Sequence, residues 1–552
     1  MKVASTILLL LVLGAPAWGQ WTANPAVNTP VCTATGKQID LRMEGDGHGG
    51  TIITWMDYRS TAPDVYAQRL DRTGLAKWTA NGVGICTHVA DQGNAAIVTD
   101  MAGGAIITWS DMRSGVNWDI HAQRVDSNGA VKWTSNGVGI ATKTEREDNE
   151  KIISDGAGGA IIVWEQERPS NQTWDIWAQR VNANGQVLWT SCGVAVVSDA
   201  SNRINPKVQS DNHGGAYIVW QDGRSGVDFD IYGQHLNASG NRLWGATGKA
   251  IAAIVGSQTN PKIDPDDHSG GIYVAWTDTR LNNPGTDIYA ARIDSNGNAF
   301  WAANGVAVST ALNSQSALDI VSDPIISGLI VTWKDNRGGS YDIYAQKITE
   351  LGAPSWTPNG IAICTASGDQ LNPNITADMA GGAIIVWQDS SGSDWSIRSQ
   401  RVSGTGVTIW SPNGEWVGTA SGDQTSPKNI GDDQGGSIYA FQDKRSGTND
   451  IYAHHLNADG SPLLAVNSPV AGPSIEAWPN PFSDRIHLQL GSDGSPKTIT
   501  VRDITGRLVL QMENVDLDVV LDGATFSEAG VYSIEVVDAS HTANLKVVRI
   551  KQ

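Results

Sequence analysis

The chain has 552 residues, with 38 Lys and Arg against 57 Asp and Glu, for a formal charge of −19. That balance, with no basic block, argues against a nucleic-acid or anionic-membrane partner. The length suits several domains, or one repeat array with an appendage, and 22 Trp against 5 Phe is an unusual aromatic balance.

Residues 1–20 read as a secretory signal: Lys2 supplies the charge, residues 7–13 the apolar stretch, and residues 15–19 small residues for cleavage. No stretch reaches the roughly 18 apolar residues of a membrane span. We therefore expect a soluble, exported protein without a transmembrane segment.

From residue 21 a unit recurs eight times, most clearly at residues 103–133. Its central aromatic falls at Trp55, Trp109, Trp164, Trp220, Trp276, Trp333, Trp387 and Phe441, with gaps of 54 to 57 residues. A second Trp follows at Trp78, Trp133, Trp189, Trp244, Trp301, Trp356 and Trp410. Its eighth copy is missing after Phe441 and stands instead at the start, at Trp21. Each unit reads as four strands separated by Gly- and Asp-rich turns. The second strand is almost continuously apolar, as a strand covered on both faces should be.

A linear stack has no use for a fourth strand displaced to its beginning. A closed ring does, because the displaced strand completes the last sheet and hides both edges. The expected fold is all-β: an eight-bladed β-propeller over residues 21–467, closed by its N-terminal strand. The third strand of each unit keeps one small position (Ala67, Ala122, Ala178, Gly233, Ala290, Ala345, Ser399, Ala453), read as room for a neighbouring Trp. Cys86 and Cys364 share a repeat position, which places them too far apart for a disulfide. Buried free thiols are expected.

The recurring pairs Asp57/Arg59, Asp111/Arg113, Asp222/Arg224, Asp278/Arg280, Asp335/Arg337 and Asp443/Arg445 read as structural ion pairs, because catalysis breaks symmetry and architecture keeps it. Asp46, Asp264, Asp266, Asp267, Asp432 and Asp433 lie where calcium ligands could be sought, but turn chemistry accounts for them. His48, His213 and His268 are spread over different units and cannot share a metal. No metal site, cofactor or catalytic motif is expected. The better ligand candidates are hairpin-tip aromatics that only some units carry: Trp118, Trp174, Phe229, Tyr341 and Trp395. Exposed rings there could stack on sugar faces.

Residues 468–474 read as a linker. Residues 475–552 lose the Trp repeat and alternate like the strands of a small Ig-like β-sandwich. Pro479, Asn480, Pro481 and Phe482 open this segment; Gly506 and Arg507 end the next motif, residues 501–507, and Gly530 and Tyr532 lie in a later one, residues 529–532, before the closing stretch 546–551. In these motifs and their order it resembles the type A C-terminal sorting domain of the type IX secretion system of Bacteroidota and relatives. The resemblance implies the secretion machinery as partner and a destination outside a Gram-negative cell or on its surface. The repeats themselves resemble uncharacterised secreted propellers with DIYAQR-type units.

The expected function is an exported, non-catalytic propeller that binds a glycan or a surface protein. The alternatives are a polysaccharide-degrading enzyme with its site on the propeller face or in its channel, and a passive surface or adhesion scaffold.

Overall fold

The computed structural model describes residues 21–462 apart from 198–200, 281–284 and 326. Within 475–549 it describes all but 479, 481, 483–484, 491–496, 506, 516–517, 527 and 538–541. The signal segment 1–20, the linker 468–474 and the motif residues Pro479, Pro481 and Gly506 lie outside the described residues.

Residues 29–456 form eight four-stranded antiparallel sheets. In the first, Gln38–Gly45, Thr51–Asp57, Asp64–Leu70 and Val83–Cys86 pair in chain order. The next six repeat this plan over 92–141, 147–195, 203–252, 258–309, 315–364 and 370–418. The eighth has Gln424–Gly431, Ser437–Asp443 and Asp450–Leu456, and takes its fourth strand from Thr29–Cys32. The first strands of successive sheets pack against one another, and that of the eighth packs against that of the first. The result is a closed, propeller-like ring with those eight strands innermost.

The second Trp of each unit explains the closure. Trp78 Nε1 donates to the Ser127 carbonyl of the next sheet, 3.0 Å away, and the six later copies do the same to Ala183, Ala238, Ser295, Glu350, Gly404 and Ala458. Trp21 completes the circle, donating to the Arg72 carbonyl at 2.8 Å. It is buried, stacks on His455 and covers Gly74, where a Cβ would meet its ring at 2.9 Å. Burying an indole is worth on the order of 4–6 kcal/mol by area. The small third-strand position also does what was expected: a Cβ on Gly233 would lie 3.0 Å from Trp244.

Two ion-pair belts hold the sheets. Asp111 accepts from Trp109 Nε1 at 2.7 Å and from both arms of Arg113, at 2.8 and 2.6 Å. Five other sheets carry the same Asp–Arg pair. In the second belt, the turn carboxylate Asp46 binds the Gly50 amide with one oxygen and Arg69 with the other. Equivalent pairs recur at Asp100/Arg124, Asp155/Arg180, Asp266/Arg292, Asp323/Lys347 and Asp378/Arg401, with His235 and His455 replacing Arg opposite Asp211 and Asp432. These turn carboxylates are committed to the fold. Cys32, Cys86 and Cys364 are buried and free, and burial pushes each thiol up to about 12.

Residues 475–549 form two further sheets, of three and four strands. They share a core that includes Phe482, Ile486, Val501, Phe526, Tyr532 and Val547. Phe526 stands edge-on to both Phe482 and Tyr532, each at 4.8 Å. Asn480 accepts from the Val548 amide at 2.7 Å, tying the opening motif to the last strand. Arg507 pairs with Asp503 across a turn, and Gly530 opens the strand Gly530–Val537 that carries Tyr532.

Candidate active site in the central channel

The space enclosed by the eight inner strands is the channel. Each of these strands breaks register after its second residue, and its third residue has positive φ: Asp40, Asn94, Asn149, Asn205, Asn260, Ala317, Asn372 and Ser426, at 50 to 58°. Asn is favoured at five of these places because its short polar side chain tolerates the left-handed region. A bulge of this kind re-aims the side chains that follow.

The fifth residue of each inner strand is where the repeat stops repeating. The eight residues are Arg42, Ala96, Lys151, Lys207, Lys262, Asp319, Asn374 and Lys428. Five of them sense charge across non-adjacent sheets: Lys428 feels Asp319 and Lys262, and Lys151 feels Arg42, while Lys207 feels its neighbours Lys151 and Lys262. Their side chains therefore converge on the channel. Lys262 pairs with Asp319 at 2.9 Å, and Asp319 also accepts from the Asn374 side chain and the Ile375 amide. With Lys262 and Lys428 beside it, Asp319 is held below the usual carboxylate range despite burial that acts the other way.

Two residues further along, the first and fifth sheets carry carboxyl groups, Glu44 and Asp264. Burial pushes each up to about 7. Asp264 accepts from the Ser322 amide at 2.5 Å, three residues beyond Asp319 on the same inner strand, and the Asp319 charge adds to its upward shift. Two carboxyl groups on neighbouring inner strands are thus pushed in opposite directions. That is the condition for one to act as acid while the other stays ionised.

A cavity of about 240 Å³ lies at the turns that follow the inner strands of the eighth, first and second sheets. Glu44 and Asp433 line it, and burial beside Asp432 and Asp46 raises Asp433 to about 6. Asp264 belongs to the channel and not to a turn: the turn position in its sheet is taken by Asp266, which pairs with Arg292.

The hairpin-tip aromatics are not brought together. Trp118, Trp174, Phe229, Tyr341 and Trp395 sit on five different sheets and all are half-buried. Trp118 covers Gly93 on the inner strand of its own sheet, Arg146 lies 5.6 Å from the Trp174 ring centre, and Lys334 lies 4.5 Å from that of Tyr341. The backbone at this position is structural: the carbonyls of Trp118, Phe229, Tyr341 and Trp395 accept from the amide that opens the next inner strand. These atoms place the rings on the face where the inner strands begin.

Residues 476–551 match the family model described as the secretion system C-terminal sorting domain. This segment is a sorting domain of the type IX system. The protein is therefore exported, to the cell surface or beyond it, and its C-terminal segment engages the secretion machinery. Among the described residues no helix is long and apolar enough to cross a membrane.

No curated protein is similar to the chain. Among solved structures it is similar to an endo-arabinase from Bacteroides thetaiotaomicron (13% identity, 48% of this chain, 96% of that one, TM-score 0.27). It is also similar to an α-L-arabinofuranosidase of Fusarium graminearum in complex with arabinobiose (8%, 66%, 91%, 0.34). A third is an α-L-arabinanase of Penicillium chrysogenum, also with arabinobiose (11%, 59%, 97%, 0.30). At these scores the likeness is one of strand architecture, and chemistry has to be argued from the channel itself.

The expectation of a non-catalytic binding ring is corrected. The three structures above are an endo-arabinase, an arabinofuranosidase and an arabinanase, and the channel holds an asymmetric set of titratable groups that the hairpin-tip reading did not include. Aligning the inner strands on their first residue, Gln in six of eight, exposes the signal, because Lys then recurs at the fifth place in four units while one holds Asp.

Proposed function

We propose that residues 21–467 are an eight-bladed β-propeller that degrades a polysaccharide in its central channel. On this reading the linker 468–474 joins it to the sorting β-sandwich of residues 475–552. The closed circle of eight Trp-to-carbonyl bonds supports the blade count.

The observation that carries the chemistry is the pair Asp264 and Asp319. Asp264, protonated up to about pH 7, donates its proton to the departing glycosidic oxygen. Asp319, kept ionised by Lys262 and Lys428, receives the proton of the attacking water or bonds to the anomeric carbon. The hairpin-tip rings, Trp118 and its counterparts, serve as outer contacts for the same sugar chain.

The test is reducing-end release from a panel of plant and bacterial polysaccharides by the exported protein. Asp264→Asn and Asp319→Asn should each lower the rate on the responsive polymer by about 100-fold or more, compared on protein that circular dichroism shows to be folded, since Asp319→Asn also removes the partner of Lys262. A panel without products, or full activity in both variants, overturns the reading.

A further inference from the structure

The channel's charge runs against that of the molecule. In a chain of formal charge −19, the fifth places of the inner strands hold five cations and one anion. Only Lys262 has a carboxylate partner, Asp319. Lys207 donates to the Asn205 side chain and the Pro206 carbonyl, both neutral. Lys151 donates to Asn149 and to the Glu150 carbonyl, and Arg42 to the Leu41 carbonyl. Among the described residues, no ion pair neutralises Arg42, Lys151, Lys207 or Lys428.

The cations are also crowded. Burial lowers Lys207 to about 7, and Lys151 and Lys262 push it the same way. Lys428 is lowered to about 8 by burial, with Lys262 and Arg42 adding to the effect. A repeat protein free to place Ala there, as at Ala96, or Asn, as at Asn374, could have avoided this repulsion. With five cations against Asp319, and with Glu44 and Asp264 pushed up to about 7, the confined excess of positive charge focuses the field and draws in the opposite charge. Arg and Lys are also the groups that bind carboxylate and sulfate oxygens.

We propose that the channel binds an anionic polysaccharide, one bearing carboxylate or sulfate groups, through Arg42, Lys151, Lys207 and Lys428. This rests on the channel being the site where substrate binds. It adds the substrate class, which the acid pair alone does not give.

Affinity electrophoresis of the folded, exported protein tests it without relying on cleavage. The gels contain polygalacturonate, dextran sulfate, neutral dextran or neutral arabinan. Retardation is expected in one or both anionic gels and in neither neutral gel, and the anionic gel that responds tells carboxylate from sulfate. The doubly substituted Lys151→Gln/Lys207→Gln protein should lose at least about 10-fold in apparent affinity. Lys132→Gln, which alters an exposed turn lysine paired with Asp126, should bind like the parent. A circular dichroism melt keeps the comparison to folded protein; if the double variant fails to fold, Lys428→Gln takes its place.

No retardation by either polyanion, or an equal loss with Lys132→Gln, overturns the proposal. The outcomes also separate the two claims. Anionic binding without cleavage sinks the enzyme and keeps this inference. Cleavage of a neutral polymer with no polyanion binding does the reverse.

Discussion

The outer strands of each sheet and its inner strand follow opposite rules. Outside, the same groups recur: an indole bonded to a carboxylate, the carboxylate clasped by Arg, a second indole bonded to the next sheet. At the fifth inner place, three charge states share one backbone position: cationic Lys or Arg, anionic Asp, and neutral Asn or Ala. Identical backbones impose identical packing demands, so recurrence marks what the ring needs to close. Variation at a half-buried, charged position marks what packing did not dictate.

The comparison can be broken most severely at the closure. Removing residues 21–32 takes away the fourth strand of the eighth sheet and the Trp21 bond to Arg72. Losing the Trp21 side chain alone should cost about 3–5 kcal/mol. With its strand gone as well, the ring should fail to fold cooperatively, which denaturant unfolding would show as a lost or broadened transition.

A smaller effect is expected one belt further in. Asp111→Ala strands Trp109 Nε1 and the Arg113 guanidinium, which is mostly buried, so stability should fall by about 3–5 kcal/mol. Polysaccharide cleavage by the molecules that remain folded should persist. Chemical denaturation and a specific-activity assay together check both halves.

An effect of the opposite sign is expected at Lys207. The Lys207 ammonium is disfavoured in the folded state, where its pKa is about 7, and is unhindered when unfolded, near 10.5. Above pH 7 the unfolded chain holds more protons at this site, so its contribution to stability rises with pH until about 10.5. Below pH 7 the penalty is complete. Lys207→Gln should therefore raise the thermal midpoint at pH 6, with a gain that shrinks toward pH 10. A pH series of melts reads this directly.

Much of the ring was legible in the sequence. Repetition acts as an internal alignment, and the move of one Trp from after Phe441 to Trp21 discloses the closure. The tail strands were legible from their alternation, although Ile475–Trp478 and Asp518–Asp522 were not distinguished. The channel was not read, for a physical reason. Lys428 and Asp319 lie more than 100 residues apart in sequence and feel each other's charge only because the bulged inner strands point them at one axis. Asp264 was grouped with turn carboxylates because it lies two residues before Asp266, and only the strand register separates the two. The residues that vary between units were sought at the hairpin tips, where half-buried rings occupy separate sheets, and not along the inner strands.

The central claim is that the channel pair is catalytic. Its most direct measurement is the pH dependence of polysaccharide cleavage by the parent protein beside Asp264→Asn and Asp319→Asn. Activity should fall as pH rises through about 7, where Asp264 loses its proton, and the acid limb that Asp319 sets should lie below the usual carboxylate range, because the neighbouring cations lower its pKa. The Asp264→Asn protein should retain only a residual rate without that alkaline limb. An unchanged rate and an unchanged alkaline limb in Asp264→Asn would contradict the account.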